Sequence, residues 1–225
     1  MRGGPLTGTS ELVPPTALGG DLPCVLLLAS LDDGGYLIPT RRELSAGLAA
    51  SAVVELAFRG RIRAEGERLI VTGAAPTGDA VVDPVLDLLA ARRRAPDVGR
   101  CLEDLSLDWT ILGRAGHVLE AQGLVRIERR ALHPLIMHRF HPVSPERPAQ
   151  VRARLRSILE GATTTTPHEA ALASLAEAIR LPRVTRGEST PCAFDATAAG
   201  QVLSVAHAAL ASTTLGRREA HGAHA

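Results

Sequence analysis

Between Thr40 and Gly60 the chain spells a helix with hardly any polar face. Thr40 and Glu43 have the S/T-x-x-E spacing of a capping box, in which each position satisfies a backbone donor of the other. Leu44, Leu48, Val53, Val54, Leu56 and Phe58 follow, with Ala and Ser in most of the gaps, and Gly60 supplies a stop. A helix that is apolar on nearly every side has no place on a surface and must be surrounded. The pattern therefore predicts a helical fold with this segment at its centre.

The rest of the chain reads as mostly helical. Leu22 to Leu31 is a short buried helix, followed by the turn Asp32-Asp33-Gly34-Gly35 and a brief extended piece from Tyr36 to Ile38. Arg61 to Ala64 and Leu69 to Thr72 flank Glu65-Gly66-Glu67 as a hairpin. Asp79 is placed to cap a helix from Ala80 to about Ala91, which Arg92-Arg93-Arg94 and Pro96 end. Asp97 to Leu105 and Leu112 to Gln122 are two further helices, the second stopped by Gly123. Leu124 to Ile127 and Leu135 to Phe140 read as a second hairpin. Val151 to Glu160 has helical spacing, and Thr166-Pro167-His168-Glu169 is a second capping box opening a helix to about Leu181. Arg183 to Phe194 is a polar loop, and Asp195 caps a last helix ending near Ala211.

These elements fit a mainly α fold, a single globular domain with a few short β-hairpins. The chain has 225 residues, 45% of them apolar, and no linker long enough to separate one core from another. The domain is expected over residues 21–212, with 1–20 as a disordered leader and 213–225 as a disordered tail.

Charge and composition remove several classes of function. Net charge is +1 and aromatics are 2%, which gives single-stranded nucleic acid neither a basic surface nor stacking platforms. All 25 basic residues are Arg, whose planar fork suits phosphate groups. Cys24, Cys101 and Cys192 are odd in number and far apart, which argues for a reducing compartment and against a disulfide framework or a cysteine zinc site. The longest apolar run, Val25 to Leu31, is too short to span a bilayer, and Met1 to Gly20 lacks a signal-peptide core. The expected location is cytoplasmic, with any membrane contact peripheral.

Four stretches carry a resemblance. Val25-Leu26-Leu27-Leu28-Ala29-Ser30-Leu31-Asp32-Asp33, then Gly35-Tyr36, resembles an L-L-L-L-x-L-x-D…G-Y opening. Gly47 to Ile62 resembles G-L-x-G-x-x-L-x-E-L-A-L-R-G-R-I. Ala75-Pro76-Thr77-Gly78-Asp79 with Asp83 is similar to A-P-T-G-D-x-x-L-D, and Leu119 to Val125 is similar to L-V-E-K-G-V-L. Order and spacing also fit over roughly residues 22–212, so the chain resembles the Golgi phosphoprotein 3 family, which has many bacterial members. The resemblance implies a mostly helical fold with short hairpins. It also implies peripheral membrane binding, since eukaryotic members bind phosphatidylinositol 4-phosphate and act as adaptors for glycosyltransferases. The family's lipid site, a Trp and three Arg, aligns with Thr40, Ala49, Trp109 and Leu112 here, none of which keeps the family's residue. The family's membrane-inserting hairpin aligns near Arg183 to Phe194, which is polar here.

From the residues themselves, the start of the Thr40 helix is the best candidate anion site. Arg41 and Arg42 occupy its first two positions, where cations oppose the helix dipole by about 0.3–1 kcal/mol each. An anion on the free N–H groups would reverse that penalty and pair with both guanidinium groups. The plain alternative is two solvated arginines. Arg114 is a third candidate anion ligand, or a lone exposed helix arginine. Arg59, Arg61 and Arg63 alternate about Gly60 and are read as ion-pairing with Glu55, Glu65 and Glu67. Asp79 and Asp83 are read as a cap and a first-turn acid rather than a catalytic or metal pair. His133, His138 and His141 lack a zinc spacing.

The expected function is binding of phosphoinositide or anionic-lipid headgroups by a peripheral membrane adaptor. Thr40, Arg41, Arg42 and Arg114 hold the headgroup, and anionic phospholipids and membrane-associated proteins are the partners. No cofactor, metal or catalytic residue is expected, and the chain is not expected to be an enzyme. The competing reading is a winged-helix-like nucleic-acid-binding regulator, because Asp97 to Phe140 runs helix, helix, hairpin. Ile111, Leu112 and Gly113 at the start of its recognition helix speak against that reading.

Overall fold

The computed structural model describes residues 20–107, 110–132, 135–163, 165–182, 184 and 197–222. Its centre is a pair of antiparallel helices, α1 (Leu22–Ala29) and α2 (Arg41–Phe58). Leu22 at the start of α1 donates its N–H to Glu55 near the end of α2. Further along, Leu26 packs on Gly47. All of α1 is buried, and so is every residue of α2 from Leu44 to Ala57 except Ala46. The all-round apolar segment is therefore where its composition requires it to be, and burial of each large side chain contributes about 1.5–3 kcal/mol.

The other helices close around this pair. α4 (Val98–Leu107), α5 (Thr110–Ala121), α7 (Pro167–Ala178) and α8 (Ala198–Gly222) pack on α2, while α6 (Glu146–Leu159) packs on α1 and α7. α3 (Asp83–Ala90) and the small antiparallel hairpin of β1 (Ile62–Glu65) and β2 (Arg68–Val71) contact α2 and lie beyond its C-terminal end in sequence. A longer hairpin, β3 (Val125–Leu132) with β4 (Leu135–Pro142), lies against the 32–36 turn. No helix among the described residues is long and apolar enough to cross a membrane.

Both capping boxes form. The Thr40 hydroxyl accepts from Glu43 N while Glu43 Oε2 accepts from Thr40 N, and Thr166 and Glu169 repeat the arrangement. Gly60, at φ +66°, lets Gly60 N reach Ala57 O and Arg61 N reach Leu56 O, which ends α2.

Several element bounds differ from the sequence expectations. The helix expected from Ala80 begins at Asp83, because Asp79 Oδ1 takes the N–H groups of Val81 and Val82 into a separate turn. α7 stops at Ala178 rather than near Leu181. Arg180 adopts φ +50°, and Arg180 N and Leu181 N turn back onto Glu177 O and Ala176 O. β3 and β4 are each longer than expected, and α6 starts at Glu146 instead of Val151. The last helix continues to Gly222, past the stop expected near Ala211 and into the stretch expected to be a disordered tail. Thr197 caps it, its hydroxyl accepting from Gly200 N. Asp195, the expected cap, lies outside the described residues, as do the expected leader up to residue 19 and most of the Arg183 to Phe194 loop.

Candidate functional site

The two ends of α2 have opposite electrostatic character. At its C-terminal end one guanidinium is shared by three carboxylates. Arg59 Nε donates to Glu55 Oε1 at 2.9 Å, and its Nη2 donates to Asp79 Oδ2 at 3.0 Å and to Asp21 Oδ1. Glu55 is 4% exposed and Asp79 8%. Glu55 also accepts the first N–H of α1, and Asp79 closes the turn after the 75–78 loop. Asp83 folds back on that loop, accepting from Thr77 N, Thr77 Oγ1 and Gly78 N at 2.7–2.9 Å. Burial opposes its ionisation, yet these bonds hold its carboxyl below the usual value. Both aspartates are thus committed to the loop backbone, and the cap expected of Asp79 is corrected: it holds the turn before α3, whose own cap position is Val82.

The 32–38 turn joins the end of α1 to the start of α2 and lies against β4 of the β3–β4 hairpin. Ile38 N bonds Ser30 O, and Asp32 Oδ1 accepts from Gly34 N and Tyr36 N. Gly35 has φ +78°, and a Cβ there would stand 2.6 Å from Phe140 O, so only glycine lets the turn lie on β4. Arg139 of β4 donates to Gly34 O and stacks its guanidinium 3.8 Å above the Tyr36 ring. Tyr36 is 58% exposed. Beneath this surface, buried Arg152 donates to Ala29 O and Leu31 O at the end of α1, where a cation suits the helix dipole.

The hairpin itself has a graded sequence. Its register pairs Arg126 with His141, Glu128 with Arg139, Arg129 with His138 and Arg130 with Met137. Ala131 then pairs with Ile136 and Leu132 with Leu135 at the tip. Basic residues thus mark the stem and apolar residues the end. Phe140 is 1% exposed and packs on Gly116, fixing the base of β4 to α5. His141 bonds Glu128 at 2.9 Å. His133 lies outside the described residues. No group of three or more His, Cys, Asp or Glu among the described residues is placed to hold a metal ion.

The structure separates the four residues expected to hold an anion. Thr40 is the cap of α2, its hydroxyl and N–H both engaged with Glu43 Oε2 at 2.7 and 2.9 Å. A carboxylate of the chain therefore already occupies some of the expected anion position. Arg41 is half-buried, and desolvation lowers its pKa; Arg42 is exposed. Arg114 lies elsewhere: its Nη1 donates to Ala80 O at 3.4 Å, next to Asp79 of the Arg59 cluster. At about 1.5 Å per residue, Thr40 and Glu55 stand about 22 Å apart along α2, so Arg114 does not converge with Arg41 and Arg42.

The winged-helix order is present as α4, α5, β3 and β4, but α5 does not offer a reading face. Ile111, Leu112, Ala115, Gly116 and Leu119 are buried against the core. On its exposed face Arg114 is tied to Ala80, and Glu120 accepts from Ile127 N beside His117.

Residues 22–214 match the family model described as Golgi phosphoprotein 3 (GPP34). The chain belongs to the Golgi phosphoprotein 3 family. No curated protein matches it. Two of the motifs that carry the likeness have a shared physical reason, since the E-L-A-x-R of α2 and the P-T-G-D loop are joined by the Glu55–Arg59–Asp79 contacts. The D…G-Y of the opening likewise builds the turn on which Arg139 stacks. Of the positions that the resemblance sets against the lipid site of the Golgi phosphoprotein 3 family, three are described. Thr40 caps α2, Ala49 is 0% and Leu112 4% exposed, and Trp109 lies outside the described residues.

Proposed function

We propose that this chain is a peripheral membrane protein that docks on anionic bilayers through the β3–β4 end of the fold, reading surface charge rather than one headgroup. The observation that carries this is the hairpin register, which puts Ala131, Leu132, Leu135 and Ile136 at the tip, Arg130 opposite Met137 just behind it, and Arg126, Arg129 and Arg139 along the stem. An apolar tip gains by entering the interface while arginines behind it meet lipid phosphates. Tyr36, exposed and stacked on Arg139, suits the headgroup layer, where amphipathic rings concentrate. Arg41 and Arg42 open α2, directly after the turn on which the hairpin lies. Family membership is consistent with a membrane adaptor, and the burial of Ala49 and Leu112 favours charge reading over a phosphatidylinositol 4-phosphate pocket.

Vesicle flotation with hairpin variants tests the reading. Each arginine near an anionic surface contributes about 1 kcal/mol, so Arg129→Ala/Arg130→Ala should weaken association by roughly 30-fold. Ile136→Asp/Met137→Asp should abolish it at the same lipid concentration. Vesicles with phosphatidylinositol 4-phosphate and vesicles with phosphatidylserine at matched surface charge should bind equally. Wild-type affinity in both hairpin variants would refute the docking surface, and strong preference for the phosphoinositide would refute charge reading.

A further inference from the structure

The cluster at the far end of α2 is not needed for membrane docking, and its charge does not balance. Arg59 supplies one positive charge, while Asp21, Glu55 and Asp79 supply three negative ones, two of them nearly inaccessible to water. Asp21 stands at the cap position of α1 with extended backbone, yet its side chain makes no cap hydrogen bond. It turns instead to Arg59, and the first N–H of α1 goes to Glu55 at 3.2 Å. The start of α1 is therefore attached to the rest of the fold through this cluster: by Glu55 on Leu22 N, by Asp21 on Arg59, and by Asp79 through the same Nη2.

We propose that the Asp21–Arg59–Asp79–Glu55 cluster is a proton-operated latch on the start of α1: a proton on Asp21 holds α1 to α2 and the 75–79 loop, and loss of that proton loosens the hold. With Asp21 protonated, one carboxyl can donate to Asp79 and the surplus falls to a single negative charge, which Asp79 and Glu55 spread over backbone N–H groups and Arg59. With Asp21 ionised, two aspartate carboxylates, one of them buried, face one guanidinium nitrogen. Removing one of several interacting charges in a poorly solvated site changes the net repulsion more than it would in water.

Asp21 is pushed up from 3.8 to about 6, first by burial, then by the hydrogen bond and charge of Asp79 and by Glu55, with Arg59 pulling the other way. The other charged and titratable neighbours are few. Cys24, on the same helix, is pushed up to about 12, first by burial and then by the three carboxylates, so it stays a thiol through this range. On α2 the partners are Glu55 and Arg59, and in the loop Asp79. On α5, Arg114 bonds Ala80 O; on α7, His168 stacks on Phe58, one residue before Arg59. Because the folded chain holds the Asp21 proton more tightly than the unfolded chain, the latch contribution is complete below the ordinary value of 3.8. It is lost as pH rises through about 6.

Amide exchange at Leu22 reads the latch directly, since that N–H donates to Glu55. After correction for intrinsic exchange, the opening constant of Leu22 in the wild type should rise several-fold between about pH 5 and pH 7.5, about tenfold being the most that this shift gives across that window and the rise being smaller because Asp21 is partly in solvent. In Asp21→Asn, which cannot ionise, the opening constant should be the same at both values. A wild type without this pH dependence, or an Asp21→Asn protein that keeps it, overturns the latch. If Asp21→Asn does not fold, carbon NMR of the Asp21 carboxyl in the wild type decides: a midpoint near 6 supports the latch and a midpoint near 3.8 overturns it.

Discussion

Gly116→Ala tests whether α5 really holds the hairpin that the membrane reading depends on. A Cβ at position 116 would stand 2.2 Å from Phe140 Cε1, 3.0 Å from Cδ1 and 3.1 Å from Cζ. Carbon atoms in contact sit about 3.5–4.0 Å apart, so the ring must retreat by well over an ångström. Phe140 is 1% exposed and closed in by the core, leaving no room for the move without displacing β4. Overpacking of this kind costs about 1–3 kcal/mol, while replacing glycine by alanine within a helix returns up to about 1 kcal/mol. The net loss should be about 1–2 kcal/mol, which for a chain of this size lowers Tm by roughly 2–8 °C. Thermal unfolding by circular dichroism measures it, and amide exchange should speed up in β3 and β4 more than in α2. Gly116→Ala/Phe140→Leu should recover some of the loss, because the two sites share one space. An unchanged or raised Tm for Gly116→Ala, with unchanged exchange in β4, would refute the packing argument.

Three further outcomes are expected. Thr40→Ala should cost about 1 kcal/mol in chemical denaturation through loss of the cap, yet leave vesicle association unchanged, because Thr40 is engaged with Glu43 rather than with a ligand. Gly47→Ala should destabilise by about 1–3 kcal/mol in the same assay, since its new methyl would stand 2.8 Å from Ile179 Cγ2 and 3.2 Å from Leu26 Cδ2. Glu169 is 5% exposed; burial opposes its ionisation, but the hydrogen bonds from Arg154 and Thr166 hold its pKa below the usual value, so its contribution is present above the ordinary pKa and is lost as pH falls through the depressed one. Arg154→Ala should strand that carboxylate, cost about 3 kcal/mol at neutral pH, and cost less at acidic pH where Glu169 is neutral, all read from denaturant midpoints.

Local signals in the sequence translated well into structure. The capping boxes at Thr40 and Thr166, the stop at Gly60 and the turn at Gly66 each depend on residues within a few positions of one another. The pairing of Arg59 with Glu55 was legible for the same reason, being one helical turn apart. What the sequence did not reveal is the meeting of Asp21 and Asp79 at that same guanidinium, across 38 and 20 positions of chain. Asp79 reads as a helix cap, but its Oδ1 holds the turn before α3, and nothing local indicates that its other oxygen reaches Arg59. The identity and exposure of Arg114 are legible in the sequence, but its place beside Ala80 and away from Arg41 is not. The hairpin was underestimated because β3 and β4 carry arginines and histidines where alternation of apolar residues would have marked strands.

Membrane docking needs a basic, apolar-tipped hairpin end that meets negative bilayers, and flotation of the wild-type chain with neutral and with phosphatidylserine-containing vesicles tests this most directly. The predicted result is recovery with the anionic vesicles alone, falling steeply as salt is raised, because screening shortens the reach of the arginine charges. Equal recovery with both vesicles, or none with either, would contradict it.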